Sequence, residues 1–257
     1  MGMCLCLMVC SAQAQNSFTI MAMGDSVTAR GGSPESSYRY WLYTYLTNAG
    51  FNPYFVGRTS GKSGASDGPP ANLWPGDAYE GGSTTSGSLP TADAWTTATG
   101  VSDASGAASR LGGGPTFLLL NLGANDVAAT EFGETPLKAN LLQVQTNLET
   151  IIQTFSGANS STVILLAVPT PWVAADTTAK QFMARIGSAV SKAAHDQKKA
   201  GVDVRVVSLR GGFNPRIGVD TKDGTHPSVK GEQVIARKFF NALRPVLKKM
   251  QKQGLLG

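Results

Sequence analysis

Five short apolar runs divide the chain at wide intervals, and each has the length of a β-strand. They cover residues 18–23, 53–56, 116–122, 163–168 and 204–209. Continuous apolar runs of this length are typical of strands that are buried on both faces of a sheet. The pattern therefore predicts five strands of one largely buried sheet.

Helical periodicity fills several of the intervals between these runs. In residues 38–48, large apolar side chains recur on one face, and Gly50 follows as a helix stop signal. Similar patterns predict three further helices, over residues 135–155, 178–200 and 228–251. Strands that alternate with helices favour a parallel sheet covered on both faces. We therefore expect a single-domain, three-layer α/β/α sandwich with a five-stranded parallel sheet.

Residues 57–114 depart from this regular pattern. They hold 13 of the 30 glycines and little apolar periodicity, apart from a short helix expected near residues 92–98. A connection this long inside one domain is usually functional. We expect it to form an excursion around an active site, because parallel sheets bind ligands at the carboxyl ends of their strands.

Composition and charge exclude several classes of protein. Of the 257 residues, 42% are hydrophobic and 15% charged, and the formal net charge is +5. This basic surplus is mild, 22 residues against 17, so we expect no nucleic-acid partner. No apolar stretch approaches the ~18–20 residues of a membrane-spanning helix, so we expect no membrane insertion. The predicted single domain is expected to be a monomer.

The first 14 residues have the features of an export signal. A short apolar run precedes Ala12-Gln13-Ala14, a small-x-small cleavage pattern, but no basic residue precedes the run. We therefore expect a signal peptide over residues 1–14 whose true start lies upstream, with a secreted or periplasmic domain over residues 15–257. Lipid attachment at Cys10 is an alternative, although Val9 is a poor preceding residue. All three cysteines fall inside residues 1–14, so the mature domain has no disulfide, thiol or cysteine–zinc chemistry.

The chain has two histidines, and only one lies where chemistry is expected. His195 falls in a polar stretch late in a predicted helix, which is typical of a solvated side chain. His226 follows Asp223 by three residues, in a turn-rich segment after the last predicted strand. A carboxylate beside an imidazole fixes its tautomer and stabilises the imidazolium. Asp223 as a simple helix-entry cap is the alternative.

Two further polar segments follow predicted strands. Ser26 comes directly after the first strand, where a neighbouring base could activate its hydroxyl. Asn125 comes after the middle strand, where its neutral amide could stabilise an oxyanion without titrating. Ser, Asn and Asp are also common turn and cap residues, so each segment alone has a structural alternative. Within residues 57–114, glycine at 81 or 82 could offer a backbone N–H to a ligand.

In chain order these segments resemble the SGNH (GDSL-type) hydrolases. The matching motifs are Gly24-Asp25-Ser26, Gly81-Gly82, Gly123-Ala124-Asn125-Asp126 and Asp223-Gly224-Thr225-His226. The second motif departs from the family pattern, in which a single Gly is usually followed two residues on by Thr or Asn. Gly82 fits that register, and Gly81 is the alternative. The resemblance spans nearly the whole of residues 15–257 and implies a flavodoxin-like fold.

The resemblance implies a serine esterase with a Ser26–His226–Asp223 triad. The backbone N–H groups of Ser26 and Gly82 and the side chain of Asn125 would form the oxyanion hole. Because His226 would act as a neutral base, activity should fall in acid. This chemistry needs no cofactor and no metal ion.

Residues 38–42, 48–51 and 54–57 resemble the carbohydrate-esterase branch of the family, which includes secreted acetylxylan esterases. The implied substrate is an acetylated polysaccharide such as xylan, or a small ester. Candidate aromatic contacts to sugar rings are Trp74, Tyr79 and Trp172, with packing in the core as the alternative for each. A lipolytic esterase or lysophospholipase on the same triad is a second hypothesis. A non-catalytic secreted carbohydrate-binding domain is a third, which the intact Ser, Asn, Asp and His set disfavours.

Overall fold

The computed structural model describes residues 16–29, 37–60, 78–81, 96–126, 134–173 and 177–256. The strands in this part of the chain are β1 Ser17–Gly24, β2 Asn52–Val56, β3 Thr59–Ser60, β4 Ala78–Gly81, β5 Thr116–Asn121, β6 Val163–Val168 and β7 Val204–Ser208. The helices are α1 Ser26–Ala29, α2 Tyr38–Asn48, α3 Thr97–Ala108, α4 Glu134–Ala158, α5 Thr177–Lys199 and α6 Val229–Lys252.

Five of the strands form a parallel sheet in the order β2-β1-β5-β6-β7. They correspond to the five apolar runs, and every residue of β5 and of β6 is buried. Two short strands add to this sheet: β4 pairs in parallel with the end of β1, and β3 pairs antiparallel with β4. The predicted five-stranded parallel sheet is therefore confirmed, with an extension beside the carboxyl end of β1.

Helices cover both faces of the sheet, as the three-layer prediction required. Alternate residues of a strand point to opposite faces. Accordingly, Leu118 and Leu120 of β5 pack in the cluster with α3, α4 and α5. Phe117 and Leu119 of the same strand pack in the cluster with α2 and α6. Among the described helices, none is both long enough and apolar enough to cross a membrane.

The four periodic helices were predicted within a few residues of their ends, but α3 was largely missed. The expected short helix near residues 92–98 overlaps only the start of α3, and residues 92–95 lie outside the described part. The buried face of α3 is made of small residues, including Gly100, Ala104 and Ala107. A Cβ at Gly100 would lie 2.6 Å from Leu122 Cδ1 and 2.9 Å from Ile151 Cδ1. Close packing thus requires small side chains, which carry little periodic apolar signal.

Candidate active site

Ser26 begins the short helix α1 directly after β1. Between them, the Asp25 carboxylate accepts the Val27 N–H at 3.0 Å, and the Asp25 carbonyl accepts the Ala29 N–H at 2.9 Å. Only glycine fits at residue 24 without a shift of the neighbouring atoms. A Cβ at Gly24 would lie 2.2 Å from Thr28 Oγ1 and 2.6 Å from the Asn121 carbonyl oxygen. The sheet therefore delivers Ser26 to the carboxyl end of β1 through a tight, capped turn.

Behind Ser26, buried polar groups hold α1 against the core. Thr28 Oγ1 and Tyr38 Oη lie 3.2 Å apart, and Arg39 Nε donates to the Thr28 carbonyl oxygen at 3.1 Å. Thr28 and Tyr38 are fully buried and Arg39 is 1% exposed. Tyr38 also stacks on Phe239 at 5.4 Å, which links the segment behind Ser26 to α6.

His226 meets Ser26 across 200 residues of sequence. Its Nε2 lies 3.1 Å from Ser26 Oγ, and its Nδ1 lies 2.6 Å from Asp223 Oδ2. With Nδ1–H donating to Asp223, Nε2 is left to accept the Ser26 hydroxyl proton. The structure thus brings together the three residues that the sequence analysis selected.

The loop that carries Asp223 and His226 is shaped by its own hydrogen bonds. Asp223 Oδ1 accepts the N–H groups of Thr225 at 2.9 Å and His226 at 2.7 Å. Buried Thr221 donates its hydroxyl to the Pro215 carbonyl at 2.7 Å and accepts the Gly224 N–H at 3.0 Å. Asp223 is therefore more than a helix-entry cap, because the N-cap of α6 is Ser228.

The acids around Ser26 have opposite electrostatic environments. Partial burial acts to raise the pKa of Asp223, but hydrogen bonds from the His226 ring and from the His226 and Thr225 N–H groups outweigh it and lower the pKa to about 2. Burial raises the pKa of Asp25 to about 7, with a smaller contribution from the negative charge of Asp126. Burial also raises the pKa of Asp126. Asp223 is thus an anion at neutral pH, as a partner of an imidazolium must be.

Asn125 lies in a short turn after β5, which is the neighbour of β1 in the sheet. Gly24 of β1 pairs with Asn121 of β5 on one side and with Gly81 of β4 on the other. The ends of β4, β1 and β5 are therefore adjacent, which places Gly81, Ser26 and Asn125 at one edge of the sheet. Gly82 itself lies outside the described residues, so the choice between Gly81 and Gly82 stays a prediction.

The structure describes the three aromatic candidates to different extents. Trp74 lies outside the described residues, and Tyr79 lies in β4, where only the backbone is described. Trp172 is half-buried and packs against the cluster of α3, α4 and α5, with its indole Nε1 buried. Part of the Trp172 side chain thus packs against the core, and a contact of its exposed part with a sugar ring stays a prediction. His195 is exposed on α5, as predicted.

Two exposed aliphatic residues beside the loop of Asp223 and His226 were not found by sequence analysis. Val173 and Ile217 are 58% and 61% exposed, and Val173 N–H donates to the Gly224 carbonyl at 2.8 Å. A Cβ at Gly224 would lie 3.2 Å from Val173 Cβ and 3.8 Å from Ile217 Cγ1. Both side chains therefore flank the segment between Asp223 and His226. No periodic pattern marks them, because they stand singly in irregular loops.

The described residues contain no cluster of metal-ligating side chains. No group of three or more His, Cys, Asp or Glu side chains in the described part of the chain is placed to hold a metal ion. What the described geometry can do chemically is activate a serine hydroxyl through an oriented imidazole.

Solved structures of other proteins share the fold of this chain. Three solved structures similar to this chain are a family 3 carbohydrate esterase from Clostridium thermocellum, an acetyl esterase variant with an acetate ion, and a family 3 carbohydrate esterase from Talaromyces cellulolyticus. Their TM-scores are 0.68, 0.67 and 0.65, at identities of 24%, 18% and 18%. They cover 92%, 91% and 90% of this chain, which in turn covers 100%, 99% and 99% of theirs. At these identities the similarity shows a shared fold.

No curated protein sequence matches this chain. The family comparison is more direct, because residues 22–234 match the GDSL-like Lipase/Acylhydrolase family. That match spans every motif from β1 to the start of α6 and confirms the resemblance seen in the sequence. The chain therefore belongs to the GDSL-like lipase/acylhydrolase family.

Proposed function

We propose that this acylhydrolase is a serine esterase that removes short acyl groups, chiefly acetyl, from a plant or other polysaccharide such as xylan. The observation that carries the proposal is the hydrogen-bonded chain from Ser26 Oγ through the His226 ring to Asp223, at 3.1 Å and 2.6 Å. A neutral serine is a weak nucleophile, and an oriented base is what makes it reactive.

In the proposed mechanism, His226 Nε2 takes the Ser26 proton as Oγ attacks the ester carbonyl. The carbonyl oxygen becomes an oxyanion that accepts hydrogen bonds from the Ser26 N–H, the Gly82 N–H and the Asn125 amide. The tetrahedral intermediate then collapses, and His226 gives its proton to the leaving alcohol. Water, deprotonated by His226, attacks the acyl-enzyme, and the carboxylic acid leaves as Ser26 regains its proton.

The substrate class draws support from the similar structures and from the sequence. The similar structures include two carbohydrate esterases and an acetyl esterase, and residues 38–42, 48–51 and 54–57 resemble the carbohydrate-esterase branch. Trp74, Tyr79 and Trp172 are the proposed contacts to sugar rings. A polymer of this kind is met outside the cell, which agrees with the export signal predicted for residues 1–14 and with a secreted or periplasmic monomer.

A second candidate, a lipolytic esterase on the same triad, is favoured by one observation. Val173 and Ile217 expose aliphatic surface beside the segment that carries His226. Such surface suits an alkyl chain as well as the C–H face of a sugar ring. The length of the preferred acyl group separates the two candidates.

A hydrolysis profile tests the proposal. Acetylated xylan and the p-nitrophenyl esters of acetate, butyrate and octanoate are offered to the protein, to Ser26→Ala and to Ser102→Ala, which alters an exposed serine on α3. We expect acetyl esters to be preferred, Ser26→Ala to lose at least about 10⁴-fold in kcat, and Ser102→Ala to match the parent.

Each contrary result has a defined meaning. A preference for octanoate would replace the carbohydrate substrate by the lipolytic one. Undiminished turnover in Ser26→Ala would refute the mechanism. A folded protein that hydrolyses nothing and does not react with a fluorophosphonate probe would support the non-catalytic carbohydrate-binding domain.

A further inference from the structure

The carboxylate next to Asn125 is bound to a different part of the fold. Asp126 Oδ1 accepts the Thr97 hydroxyl at 2.6 Å, and Asp126 Oδ2 accepts the Thr97 N–H at 3.0 Å. Thr97 is the first residue of α3, and it is fully buried. The turn that carries Asn125 is thereby attached to the N-terminus of a helix 29 residues earlier in the chain.

The contact between Asp126 and Thr97 continues to α4. The Thr97 hydroxyl, which donates to Asp126, accepts Asn147 Nδ2 from α4 at 2.9 Å. Asn147 Oδ1 in turn accepts Gln143 Nε2 at 2.8 Å. A hydroxyl has one donor and two acceptor positions, so Thr97 can serve both neighbours at once. We call these three residues the Asp126–Thr97–Asn147 network.

The other end of the Asn125 turn is also held. Asp126 N–H donates to the Gly123 carbonyl at 3.3 Å. Gly123 has φ +114°, and a Cβ there would lie 2.8 Å from Ile186 Cδ1 of α5. The turn is therefore confined by Gly123 at its start and by the Asp126 carboxylate at its end, with Asn125 between them.

Capping of α3 does not by itself account for the Asp126 carboxylate. The helix already has a neutral N-cap, Thr96, whose hydroxyl accepts the Thr99 N–H at 3.3 Å. Burial opposes the ionised form of Asp126 and raises its pKa. A carboxylate in this position adds a tertiary contact between two segments, which a local cap does not supply.

We propose that Asp126 is a positioning residue that fixes the Asn125 turn on α3, so that the Asn125 amide is held where the oxyanion forms. The inference rests on the proposed function. An oxyanion donor lowers the barrier only when it is already oriented before charge develops. Loosening the turn should therefore weaken transition-state binding while leaving ground-state binding of the substrate nearly unchanged.

A double-mutant cycle on p-nitrophenyl acetate tests this role. Asn125→Ala should lower kcat by about 100–1000-fold. Asp126→Asn in the parent protein should lower kcat and kcat/KM together, by roughly 10–100-fold, as expected when an interaction of the transition state is lost. In the Asn125→Ala background the same Asp126→Asn change should cost less than about threefold, because the residue it positions is already gone.

Changes at residues 96 and 97 separate positioning from helix stability. Thr97→Val removes the hydroxyl and should lower kcat, whereas Thr97→Ser keeps it and should restore kcat to within about threefold of the parent. Thr96→Ala removes the neutral cap of the same helix and should lower the Tm but leave kcat within about twofold. If Asp126→Asn fails to fold, the comparison of Thr97→Val with Thr97→Ser tests the positioning role instead.

Three results would overturn the inference: an undiminished effect of Asp126→Asn in the Asn125→Ala background, a change confined to KM, or an equal loss of kcat in Thr96→Ala. If the parent protein hydrolyses esters and one of these is found, the esterase function stands and the role of Asp126 is wrong. If the parent protein and Ser26→Ala are equally inactive, the proposed function is wrong and this inference fails with it.

Discussion

Ser26 and His226 meet across one hydrogen bond, yet the chain holds them in opposite ways. The segment that carries Ser26 is held from inside the fold, by Asp25, Thr28, Tyr38 and Arg39, all of them buried. The loop with His226 is held mainly by hydrogen bonds among its own residues, and the side chains of Asp223 and His226 are 47% and 29% exposed.

This difference separates stability from chemistry. Groups behind Ser26 are part of the core, so changing them should alter the free energy of unfolding. The Asp223 and His226 side chains are partly solvated and satisfied by short-range hydrogen bonds, so changing them should alter the rate and leave stability nearly unchanged.

Among changes that leave Ser26 and His226 themselves intact, the largest effect is expected on the exposed side, from Asp223→Asn. The amide keeps the shape of the side chain but cannot stabilise an imidazolium, so kcat should fall by roughly 10³-fold. The loss of kcat would be larger for a buried acid, because water can partly replace the half-exposed Asp223 carboxylate in stabilising the imidazolium. The Tm should change by less than about 2 °C. Steady-state kinetics with thermal unfolding checks both values.

The matched control for this change is Asp203→Asn, which alters another half-exposed aspartate, one paired with Arg205 at 3.0 Å. It should leave both kcat and Tm unchanged. A loss of less than tenfold in Asp223→Asn would show that His226 needs no carboxylate partner.

On the buried side, Gly24→Ala should mainly destabilise the fold. The new methyl group would lie 2.6 Å from a backbone oxygen of β5, so β1 and α1 must shift. Overpacking of this kind costs about 1–3 kcal/mol, and Ser26 should move with the backbone. Urea unfolding measures the loss of stability.

The control is Gly157→Ala on α4, where a Cβ meets nothing within 4 Å. This variant should be neutral or stabilising by up to about 1 kcal/mol. Equal stabilities for the two variants would contradict the close packing at Gly24.

The third prediction concerns the pH dependence of Asp25. Its pKa is raised from 3.8 to about 7 in the folded protein, so the folded state binds this proton more tightly than the unfolded chain. The stability from this group is complete below about pH 4 and is lost as the pH rises to about 7. Asp25→Asn removes the titration. The stability difference, variant minus parent, should therefore become more positive between pH 4 and pH 8, by on the order of 2–4 kcal/mol.

Urea unfolding at both pH values measures this difference, and Asp203→Asn serves again as the exposed control. A difference that stays constant with pH would show that Asp25 is already ionised at pH 4. Asp223 has the opposite sign, because its pKa is lowered to about 2. Its contribution is small, because the side chain is half-exposed and screened by solvent; it is present above about pH 4 and is lost as the pH falls toward 2.

Elements with a strong local signal were predictable from sequence. β5 and β6 are apolar throughout because both faces are covered, and α2 begins and ends where its apolar face and Gly50 indicate. The helix α3 was missed because its buried face is built from Gly100 and alanines. Its packing is dictated by Leu122 and Ile151, which lie elsewhere in the chain.

The residues of the candidate site also fall into those that the sequence could identify and those that it could not. Ser26, Asp223 and His226 could be selected because each follows a strand and because parallel strands end at one edge of the sheet. The role of Asp126 could not be selected, because nothing in the sequence pairs it with Thr97, at the start of a helix that was predicted only over its first residues. Val173 and Ile217 were missed because solvent exposure of single aliphatic residues leaves no pattern.

The sequence alone defines the order of the apolar runs, the turn residues between them and the identity of the reactive side chains, because each depends on local propensity and periodicity. Distances between residues far apart in the chain were decided only by tertiary structure. The 3.1 Å contact of Ser26 with His226 and the attachment of Asp126 to Thr97 depend on how strands are ordered and how closely helices pack, and these follow from the sum of many non-local contacts.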